Sequence, residues 1–308
     1  MTRRLSPAEN DGYTYTDRVS PRDAGASVLD YYSTRYPRWR RDRWRARIGS
    51  GAVLRNDEPV ADPDVPLCAG DRLDYRRAPW VEPSVPIDVV VSHDDGDLLA
   101  VSKPAGLPVI PDHVHLRHTL LAWVREHVSA RAAPLHRLDR GTSGLVLFAR
   151  RAETRRRLSA AWSTGVVAKD YVAHCRGVVP RGPSVVDVAI GIEPHPELGH
   201  LHVAHAGGKP SRSIVVGCGR VGEGPVTSRA EVRLVTGRAH QARIHLARVG
   251  HPIVGDGVYG PEENAGARPS RPGDGGFRLH AARLSFPHPD TGSPVRVDAP
   301  RAEWDRTA

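Results

Sequence analysis

Residues 136–144 read His-Arg-Leu-Asp-Arg-Gly-Thr-Ser-Gly and run directly into an apolar stretch, Leu-Val-Leu-Phe, at 145–148. The continuous apolar run predicts a strand that is buried on both faces. The polar run before it places one carboxylate, Asp139, between two arginines at the mouth of that strand. An isolated Asp-x-Gly would more often be a surface loop in which the aspartate caps its own turn. An acid that a rigid strand holds in place is, however, typical of a catalytic loop.

The nine-residue string resembles the signature of the RluA-type RNA pseudouridine synthases, His-Arg-Leu-Asp-x-x-Thr-Ser-Gly. The resemblance implies an enzyme that detaches uracil from its ribose within RNA, turns it and rejoins it through carbon 5. It identifies Asp139 as the catalytic aspartate, and it implies no cofactor and no redox change. We expect Arg137, Arg140 and Thr142 of the same loop to bind the substrate.

The charge of the chain agrees with RNA as the partner. The 308 residues carry a formal net charge of +9 and give a pI near 9.9, which favours a polyanionic ligand. This length fits about two domains. No apolar run approaches the roughly 20 residues of a membrane span, and the polar start precedes no apolar signal core. We therefore expect a cytoplasmic monomer that does not bind membranes.

Lysine is rare in this chain. Of 44 basic residues only Lys103, Lys169 and Lys209 are lysines, and all others are arginines. Because the planar fork of arginine does not replace a compact ammonium at a tight site, each lysine is a candidate for a geometric requirement. The three lie in stretches that resemble the family motifs Lys-Pro-x-Gly, Lys-x-Tyr and Gly-Lys-x-Ala-x-Thr. The resemblance implies that Lys103 and Lys169 bind the substrate and that Tyr171 packs beside the target base and acts in catalysis.

A second long motif follows a predicted strand and contains a predicted helix at residues 240–248. It resembles the family element Gly-Arg-Thr-His-Gln-Ile-Arg-x-His-Leu and its extension Gly-His-Pro-Ile-x-Gly-Asp. The resemblance implies that Arg243 pairs with the catalytic aspartate, so that the carboxylate stays ionised inside a cleft. We expect His240 and Gln241 to bind the substrate.

Residues 25–78 predict a small module of two helices followed by short strands. Its second helix carries six arginines between residues 38 and 47 against one acid, with two tryptophans among them. The module resembles the RNA-binding domain first known from ribosomal protein S-four. A solvated face that keeps the protein soluble is the plain alternative. We expect contacts with RNA phosphates from Arg38, Arg40, Arg41, Arg43, Arg45 and Arg47.

The expected division of the chain is a mobile segment without periodicity at 1–24, the RNA-binding module at 25–78, a proline-marked linker at 79–87 and the catalytic domain at 88–308. The resemblance implies an α+β class. Its catalytic fold is a mixed, mostly antiparallel sheet with flanking helices, to which the small N-terminal α/β module is added. The expected activity is isomerisation of specific uridines in ribosomal RNA or transfer RNA.

Other classes of protein fit less well. A serine hydrolase would need a glycine where the chain has Leu145. The histidine clusters at 113–118 and 195–205 lack a carboxylate in a recognised ligand spacing, so we expect no metal. The three cysteines are too few and too distant for a disulfide framework or a zinc knuckle. An RNA-binding or RNA-chaperone protein of the same fold that has lost its activity is the remaining alternative, against which the complete set of expected catalytic residues argues.

Overall fold

The structure is a computed structural model, and it describes residues 2–37, 39–195, 199–221, 226–260 and 276–306. Within these ranges the helices are α1 (Val28–Arg35), α2 (Arg41–Gly49), α3 (Leu120–His127), α4 (Ala152–Ser163), α5 (Gln241–Arg248) and α6 (Glu303–Arg306). The strands are β1 (Arg4–Leu5), β2 (Ala8–Glu9), β3 (Tyr13–Arg18), β4 (Val53–Arg55), β5 (Glu58–Pro59), β6 (Arg72–Arg77), β7 (Val81–Glu82), β8 (Val85–Pro86), β9 (Val90–Asp94), β10 (Leu98–Lys103), β11 (Ala133–Pro134), β12 (Ser143–Ala149), β13 (Ala168–Arg176), β14 (Ser184–Asp187), β15 (Ile190–His195), β16 (Gly199–Ala204), β17 (Arg212–Arg220), β18 (Thr227–Leu234), β19 (Leu279–Pro287) and β20 (Pro294–Asp298). None of the described helices has the length and apolar character needed to span a membrane.

The chain divides into two compact units. The larger unit comprises Met1–Pro7, Pro83–Glu193 and His202–Ala308, and the smaller unit comprises Ala8–Glu82 and Pro194–Leu201. The smaller unit is thus more extensive than the predicted module at 25–78, because it also takes up residues on both sides of that range.

The N-terminal residues differ from the expectation of an irregular, mobile segment at 1–24, because they form strands. β3 pairs antiparallel with β6. Tyr15 lies opposite Tyr75, and the two rings stack with their centroids 5.9 Å apart. The alternating Tyr-Thr-Tyr-Thr sequence of β3 was the signal for this strand, since aromatic and β-branched residues favour cross-strand pairs. The predicted linker at 79–87 likewise contains β7, which pairs with β2, and β8, which pairs with β1.

The smaller unit is built from α1, α2 and a four-stranded sheet in the order β3-β6-β4-β5. Ser27 begins α1, where its hydroxyl accepts a hydrogen bond of 3.0 Å from the amide of Asp30. The helices and the sheet share one apolar core, which includes Val28, Leu29, Tyr32, Trp44, Ile48, Val53 and Leu73.

Ten described strands of the larger unit form one sheet in the order β14-β17-β18-β13-β19-β12-β10-β9, with β11 beside β12 and β20 beside β19. The described pairs are antiparallel except for β12 and β19, which run parallel. The α+β class with a mixed, mostly antiparallel sheet is therefore confirmed.

The strand that follows the signature loop, β12, is buried along its whole length. Its side chains alternate between two cores. Leu145 and Leu147 pack in the core that contains Leu158 of α4, whereas Val146 and Phe148 pack in the core that contains residues of α3. The predicted burial on both faces is confirmed, and it makes β12 a fixed support for the loop before it.

The start of β12 lies very close to β19. Gly144 has a φ of 106°, and a Cβ atom at this position would collide with the main chain of Ala281, its partner in the parallel pairing. Glycine alone meets both conditions without strain. The close approach fixes the direction in which the chain leaves the signature loop.

Candidate active site

The signature loop is held by hydrogen bonds of its own main chain. The amide of Thr142 donates to the carbonyl of Asp139 at 3.0 Å, which closes a turn. The carbonyl of Arg140 accepts from the amide of Gly106 at 2.7 Å. Leu138 is buried in the core that also contains residues of α3. These contacts hold Asp139, which lies between Leu138 and Arg140, in one position just before the start of β12.

Lys103 holds the same loop from inside the protein. Its side chain is buried, and the ammonium donates to the carbonyls of Pro104 and Arg140, both at 3.2 Å. Burial lowers the pKa of Lys103 to about 7, although the charge of Asp139 opposes the shift. Lys103 is 1% exposed and is engaged with the loop, and its expected contact with the substrate stays a prediction.

Arg243 joins two carboxylates. Its Nε and Nη2 donate to Oδ2 and Oδ1 of Asp256 at 2.7 and 2.9 Å, and its Nη1 donates to Oδ2 of Asp139 at 3.1 Å. The guanidinium is buried and lies 4.4 Å from the ring centroid of Phe277 and 4.9 Å from that of Tyr259. The paired hydrogen bonds to Asp256 fix the plane of the fork. As a result, one N–H group is aimed at Asp139.

The carboxylate of Asp139 is partly buried, with 21% of its side chain exposed. Burial by itself would raise its pKa. Hydrogen bonds and positive charge from His240 and Arg243 outweigh this effect and hold the pKa well below the usual value for an aspartate. The carboxylate is therefore ionised at neutral pH, which is the form that a nucleophile or a base requires.

His240 is the residue before α5, and its backbone is left-handed with a φ of 55°. Its Nε2 lies 3.4 Å from Oδ1 of Asp139, and its Nδ1 lies 2.7 Å from the hydroxyl of Tyr259. That hydroxyl donates to the carbonyl of His202 at 2.8 Å. The helix thus begins one residue later than predicted, and the left-handed residue places the imidazole against the carboxylate.

Tyr171 lies on β13, between β18 and β19, and packs against two cores of the larger unit. Burial, and to a smaller extent the negative charge of Asp139, raises the pKa of its hydroxyl above the usual value. The phenol is therefore protonated at neutral pH while Asp139 is ionised.

A cavity of about 400 Å³ opens at Asp139. It brings together the expected catalytic and substrate-binding residues except Lys103 and Arg140. Those in its wall are Arg137, Asp139, Thr142, Lys169, Tyr171, His240, Gln241 and Arg243.

One wall of this cavity is formed by Trp162. The His136 ring stacks on the indole with centroids 4.3 Å apart, and the Lys169 ammonium lies 5.7 Å from the indole centroid. Burial, together with the charge of Lys169, lowers the pKa of His136 to about 3. The wall therefore presents a neutral imidazole, an aromatic surface and one cation, whose own pKa burial lowers.

Gln241 lines the cavity, but its amide is already fully used within the protein. It donates to the carbonyl of Arg212 and the hydroxyl of Ser213, both at 2.9 Å, and it accepts from the hydroxyl of Thr236 at 2.7 Å and the amide of Arg238 at 3.0 Å. Gln241 is 1% exposed and ties α5 to β17, and its expected contact with the substrate stays a prediction.

The two arginines of the signature loop differ. Arg137 is exposed and belongs to the wall of the cavity. Arg140 is absent from the described wall and gives its carbonyl to the contacts that hold the loop. Thr142 is 2% exposed and contributes to the inner wall.

Several residues of the site were not predicted to act there, among them Trp162, Asp256 and Tyr259. Asp256 is the second residue of the Gly-Asp pair in the second motif. Its position 13 residues after Arg243 was the sequence signal that could have indicated their pairing. Tyr259 follows three residues later on the same turn, where its amide donates to Asp256 at 3.2 Å. Nothing in the sequence distinguishes Trp162 from an ordinary aromatic residue near the end of a helix.

A larger cavity of about 540 Å³ has charged walls and does not contain Asp139. Three of its arginines are paired with acids: Arg229 with Asp305 at 2.9 Å, Arg233 with Asp170 at 2.7 Å and Arg283 with Asp298 at 2.6 Å. Mutual neutralisation of this kind is typical of a structural surface. We therefore assign the chemistry to the smaller cavity.

No three histidine, cysteine or acidic side chains are placed to hold a metal ion in the described part of the chain. In the first histidine cluster, the ring of His115 lies 3.1 Å from Asp112, and the ring of His118 lies 2.8 Å from the carbonyl of Pro83.

The basic helix of the smaller unit is α2, and Arg38 lies outside the described residues. Arg40, Arg41 and Arg45 form ion pairs within the unit. The pairs are Arg40 with Asp42, Arg41 with Asp30 and Arg45 with Asp64.

The two remaining arginines of α2 differ in their contacts. Arg47 lies over the Trp39 ring, with its Cζ 3.8 Å from the centroid, and donates to the hydroxyl of Tyr75 at 2.7 Å. Arg43 is exposed and forms no ion pair with a described residue. The positive charge available to a ligand is therefore smaller than the count of six arginines suggested.

Comparison with known proteins connects this site with one family. Residues 97–248 match the family described as RNA pseudouridylate synthase. An uncharacterized RNA pseudouridine synthase of Synechocystis sp. is 40% identical, over 89% of this chain and 93% of its own length. RNA pseudouridine synthase 5 of Oryza sativa subsp. japonica is 32% identical, over 96% and 88% of the two chains. Ribosomal large subunit pseudouridine synthase D of Neisseria meningitidis serogroup B is 34% identical, over 86% and 72%.

The solved structure of human RNA Pseudouridylate Synthase Domain Containing 1 is similar in fold. It matches with a TM-score of 0.58 and 26% identity, over 70% of this chain and 84% of that chain.

Proposed function

Because this chain belongs to the RNA pseudouridylate synthase family and isomerises uridine in RNA to pseudouridine, we propose that Asp139 is its reacting carboxylate and that Arg243 and Tyr171 act with it. The observation that carries the proposal is an ionised Asp139 carboxylate 3.1 Å from the Arg243 guanidinium in a cavity of about 400 Å³. The reaction leaves the oxidation state of the nucleoside unchanged, so the proposal includes no cofactor and no metal.

The chemistry requires one bond to break and another to form. The bond between N1 and C1′ is lost, the bond between C5 and C1′ is made, C5 gives up a proton and N1 receives one. Asp139 starts the reaction by attack on C1′, by proton removal that leads through a glycal, or by addition at C6. Each route needs an ionised carboxylate with a free lone pair. Arg243 keeps Asp139 in that form.

The pairing of Arg243 with Asp256 tunes this effect. A carboxylate that a cation stabilises too strongly becomes a weak nucleophile or base. Asp256 takes two hydrogen bonds from the guanidinium and leaves one for Asp139. We infer that this division keeps Asp139 ionised without making it inert.

Tyr171 is proposed to stack on the uracil, to give its phenolic proton to the N1 side of the detached base and then to receive the proton from C5. Burial raises the pKa of the phenol most, and the negative charge of Asp139 raises it further. That charge disappears when the carboxylate bonds to the substrate or takes up a proton. The phenol is then easier to ionise at the stage when the C5 proton leaves.

We expect Tyr171→Phe to slow product formation by roughly 10²-fold, the size of a general-base contribution. RNA binding should be largely kept, because the ring and its stacking remain. Tritium release from RNA labelled at carbon 5 of uridine measures the rate, and fluorescence anisotropy measures binding. Tyr13→Phe is the matched control, since Tyr13 is 49% exposed on β3. An unchanged rate in Tyr171→Phe would leave the hydroxyl without a role.

The substrate is proposed to be ribosomal RNA or transfer RNA, acted on by a cytoplasmic monomer. The net charge of +9 supports a polyanionic substrate. The similarity to an enzyme named for the large ribosomal subunit supports ribosomal RNA. Chemical sequencing of pseudouridines in cells with and without the gene identifies the RNA, and light scattering of the purified chain gives the oligomeric state.

The smaller unit is proposed to be an RNA-binding module. Its exposed Arg43, which forms no ion pair with a described residue, offers its charge to a phosphate. Its Arg47–Trp39 and Arg77–Trp80 stacks, with Cζ atoms 3.8 and 3.4 Å from the ring centroids, offer flat surfaces to an unpaired base. Arg47 is unsuitable for a binding test, because its side chain also holds Tyr75.

We expect Arg43→Ala to weaken RNA binding and to lower the slope of log binding constant against log salt concentration by about 1, the value for one phosphate contact. Arg45→Ala is the matched control on the same helix, because Arg45 already pairs with Asp64 at 3.3 Å. It should change the slope less. Equal slopes for the wild type and Arg43→Ala would remove Arg43 from the RNA contact.

A further inference from the structure

The imidazole of His240 is wedged between an acid and a hydroxyl. Its Nε2 lies 3.4 Å from Oδ1 of Asp139, and its Nδ1 lies 2.7 Å from Oη of Tyr259. The residue has the left-handed φ of 55°. Such a conformation is uncommon for residues other than glycine, is strained and is concentrated at functional sites. The backbone is therefore strained at His240, the residue whose conformation directs the imidazole toward Asp139.

The hydrogen bonds around Tyr259 decide which nitrogen of His240 carries a proton. A carbonyl oxygen only accepts, so the Tyr259 hydroxyl uses its single proton on the carbonyl of His202 at 2.8 Å. Its oxygen must then accept from Nδ1 of His240. A neutral imidazole has one N–H group, so its Nε2 would turn a lone pair toward Asp139. That contact is attractive only when the ring carries both protons.

The charges of the cluster agree with a doubly protonated ring. Asp139 and Asp256 supply two negative charges, and Arg243 supplies one positive charge. Among these three groups, which are in direct ion-pair contact, one negative charge is left over, and an imidazolium at His240 neutralises it. Lys103 also acts on Asp139 by its charge, but no ion pair within 4.0 Å joins the two.

The charged and titratable groups that face His240 come from several elements. They are Asp139 of the signature loop, Arg243 of α5, Asp256 and Tyr259 of the turn after α5, and His202 of β16, whose ring centroid lies 5.4 Å away. The other charged or titratable groups of the same cavity wall include Arg137, Lys169, Tyr171 and Arg238, and Lys103 acts on Asp139 by its charge.

We propose that His240 is a positioning residue, held as an imidazolium by Tyr259, which fixes the free oxygen of Asp139 while Arg243 holds the other. This deepens the proposed function, since it rests on Asp139 as the reacting carboxylate. Two cations on opposite oxygens leave the carboxylate one orientation in the cavity. His240 thereby gains a role different from the substrate contact that its motif implied.

Two substitutions separate the two nitrogens of the ring. Asparagine places its amide near the position of Nδ1, and glutamine places its amide near the position of Nε2. We expect His240→Asn to lower kcat by about 10²-fold, the cost of misplacing a reacting group by about 1 Å, with little change in KM. His240→Gln should recover part of this loss, because its amide donates to Asp139.

The pH profile distinguishes this role from mere packing. In the wild type kcat should fall as the pH rises and the imidazolium loses its proton. Both His240 variants should lack this fall. In Tyr259→Phe the neutral ring is free to carry its proton on Nε2, so the fall should be shallower. His127→Asn, at an exposed site on α3, is the control and should keep the wild-type profile. An alkaline fall that persists unchanged in His240→Asn would overturn the proposal.

A measurement without turnover completes the test. Nitrogen-15 spectra of the full chain with labelled histidine, assigned by comparison with His240→Asn, should report both ring nitrogens of His240 protonated at neutral pH. In Asp139→Asn the balance of charge changes, and the ring should become neutral. A neutral ring in the wild type would overturn the proposal. An active Asp139→Asn enzyme would instead refute the proposed role of Asp139 and leave the charge of His240 measured.

Discussion

Asp139→Asn is expected to bind RNA and to form no detectable pseudouridine, a loss of roughly 10⁴-fold or more in kcat, which is about 5 kcal/mol or more of transition-state stabilisation. The amide has nearly the shape of the carboxylate, but it carries no charge and is neither a nucleophile nor a base for any of the three routes. Folding should survive, because Arg243 keeps its two hydrogen bonds to Asp256. Tritium release at saturating RNA gives kcat, and anisotropy gives the binding constant.

The control for this substitution is Asp187→Asn. Asp187 lies on β14 with half of its side chain exposed, and it pairs with Arg212 at 3.0 Å. Loss of such a surface pair costs less than about 1 kcal/mol and should leave the rate unchanged. Substantial turnover by Asp139→Asn, with the control behaving as expected, would exclude Asp139 as the reacting group.

Asp256→Asn is expected to lower the free energy of unfolding of the larger unit by about 3 to 5 kcal/mol, the usual cost of removing one partner of a buried ion pair. Arg243 is 1% exposed and would keep Asp139 as its remaining carboxylate. The same substitution weakens the turn at residues 256–259, because Oδ1 of Asp256 also accepts from the amide of Val258 at 3.0 Å. Activity should fall as well, since the Arg243 fork loses its fixed plane.

The chain offers a matched control for this substitution in Asp170→Asn. Arg233 donates two hydrogen bonds of 2.7 and 3.2 Å to Asp170, a pairing similar to that between Arg243 and Asp256. The side chain of Arg233 is, however, 57% exposed. We expect a loss below about 1 kcal/mol there. Hydrogen exchange of the β12 and β19 amides measures the stability of the larger unit by itself. Equal losses in the two variants would mean that burial does not strengthen the Arg243 pair.

The signature loop and the strand after it could be predicted from sequence, because their information is local. A short, continuous apolar run favours a strand that is covered on both faces. β12 is buried along its whole length, as this pattern predicts. The pairing of Arg243 with Asp139 followed from the resemblance, and the two side chains lie 3.1 Å apart.

The rest of the site depends on contacts between distant residues. The two hydrogen bonds from Arg243 to Asp256 exist only after α5 and the following turn have packed together. Lys103 stood out by its rarity, but its residue type does not reveal that its ammonium points inward to carbonyl groups. A basic motif in the sequence shows that positive charge is present. Only the folded structure shows whether that charge can contact a ligand.

The smaller unit illustrates the same point. The six arginines near α2 predicted one basic face. The partners that neutralise Arg41 and Arg45 lie 11 and 19 residues away in sequence, so no local pattern could identify them.

The contacts that hold the signature loop in place bear on whether the protein or the RNA moves during the reaction. The loop is closed by its own turn, fixed from inside by Lys103 and continued by a strand whose amides should open only when the whole unit unfolds. Because of these contacts, the loop that carries Asp139 is not expected to move toward a bound nucleotide. Under the proposed role of Asp139, the target uridine leaves its stack and moves to this carboxylate, at a cost of a few kcal/mol. The choice among uridines is therefore expected to follow how easily each one leaves the folded RNA, so that flexibility of the substrate takes the place of flexibility in the enzyme.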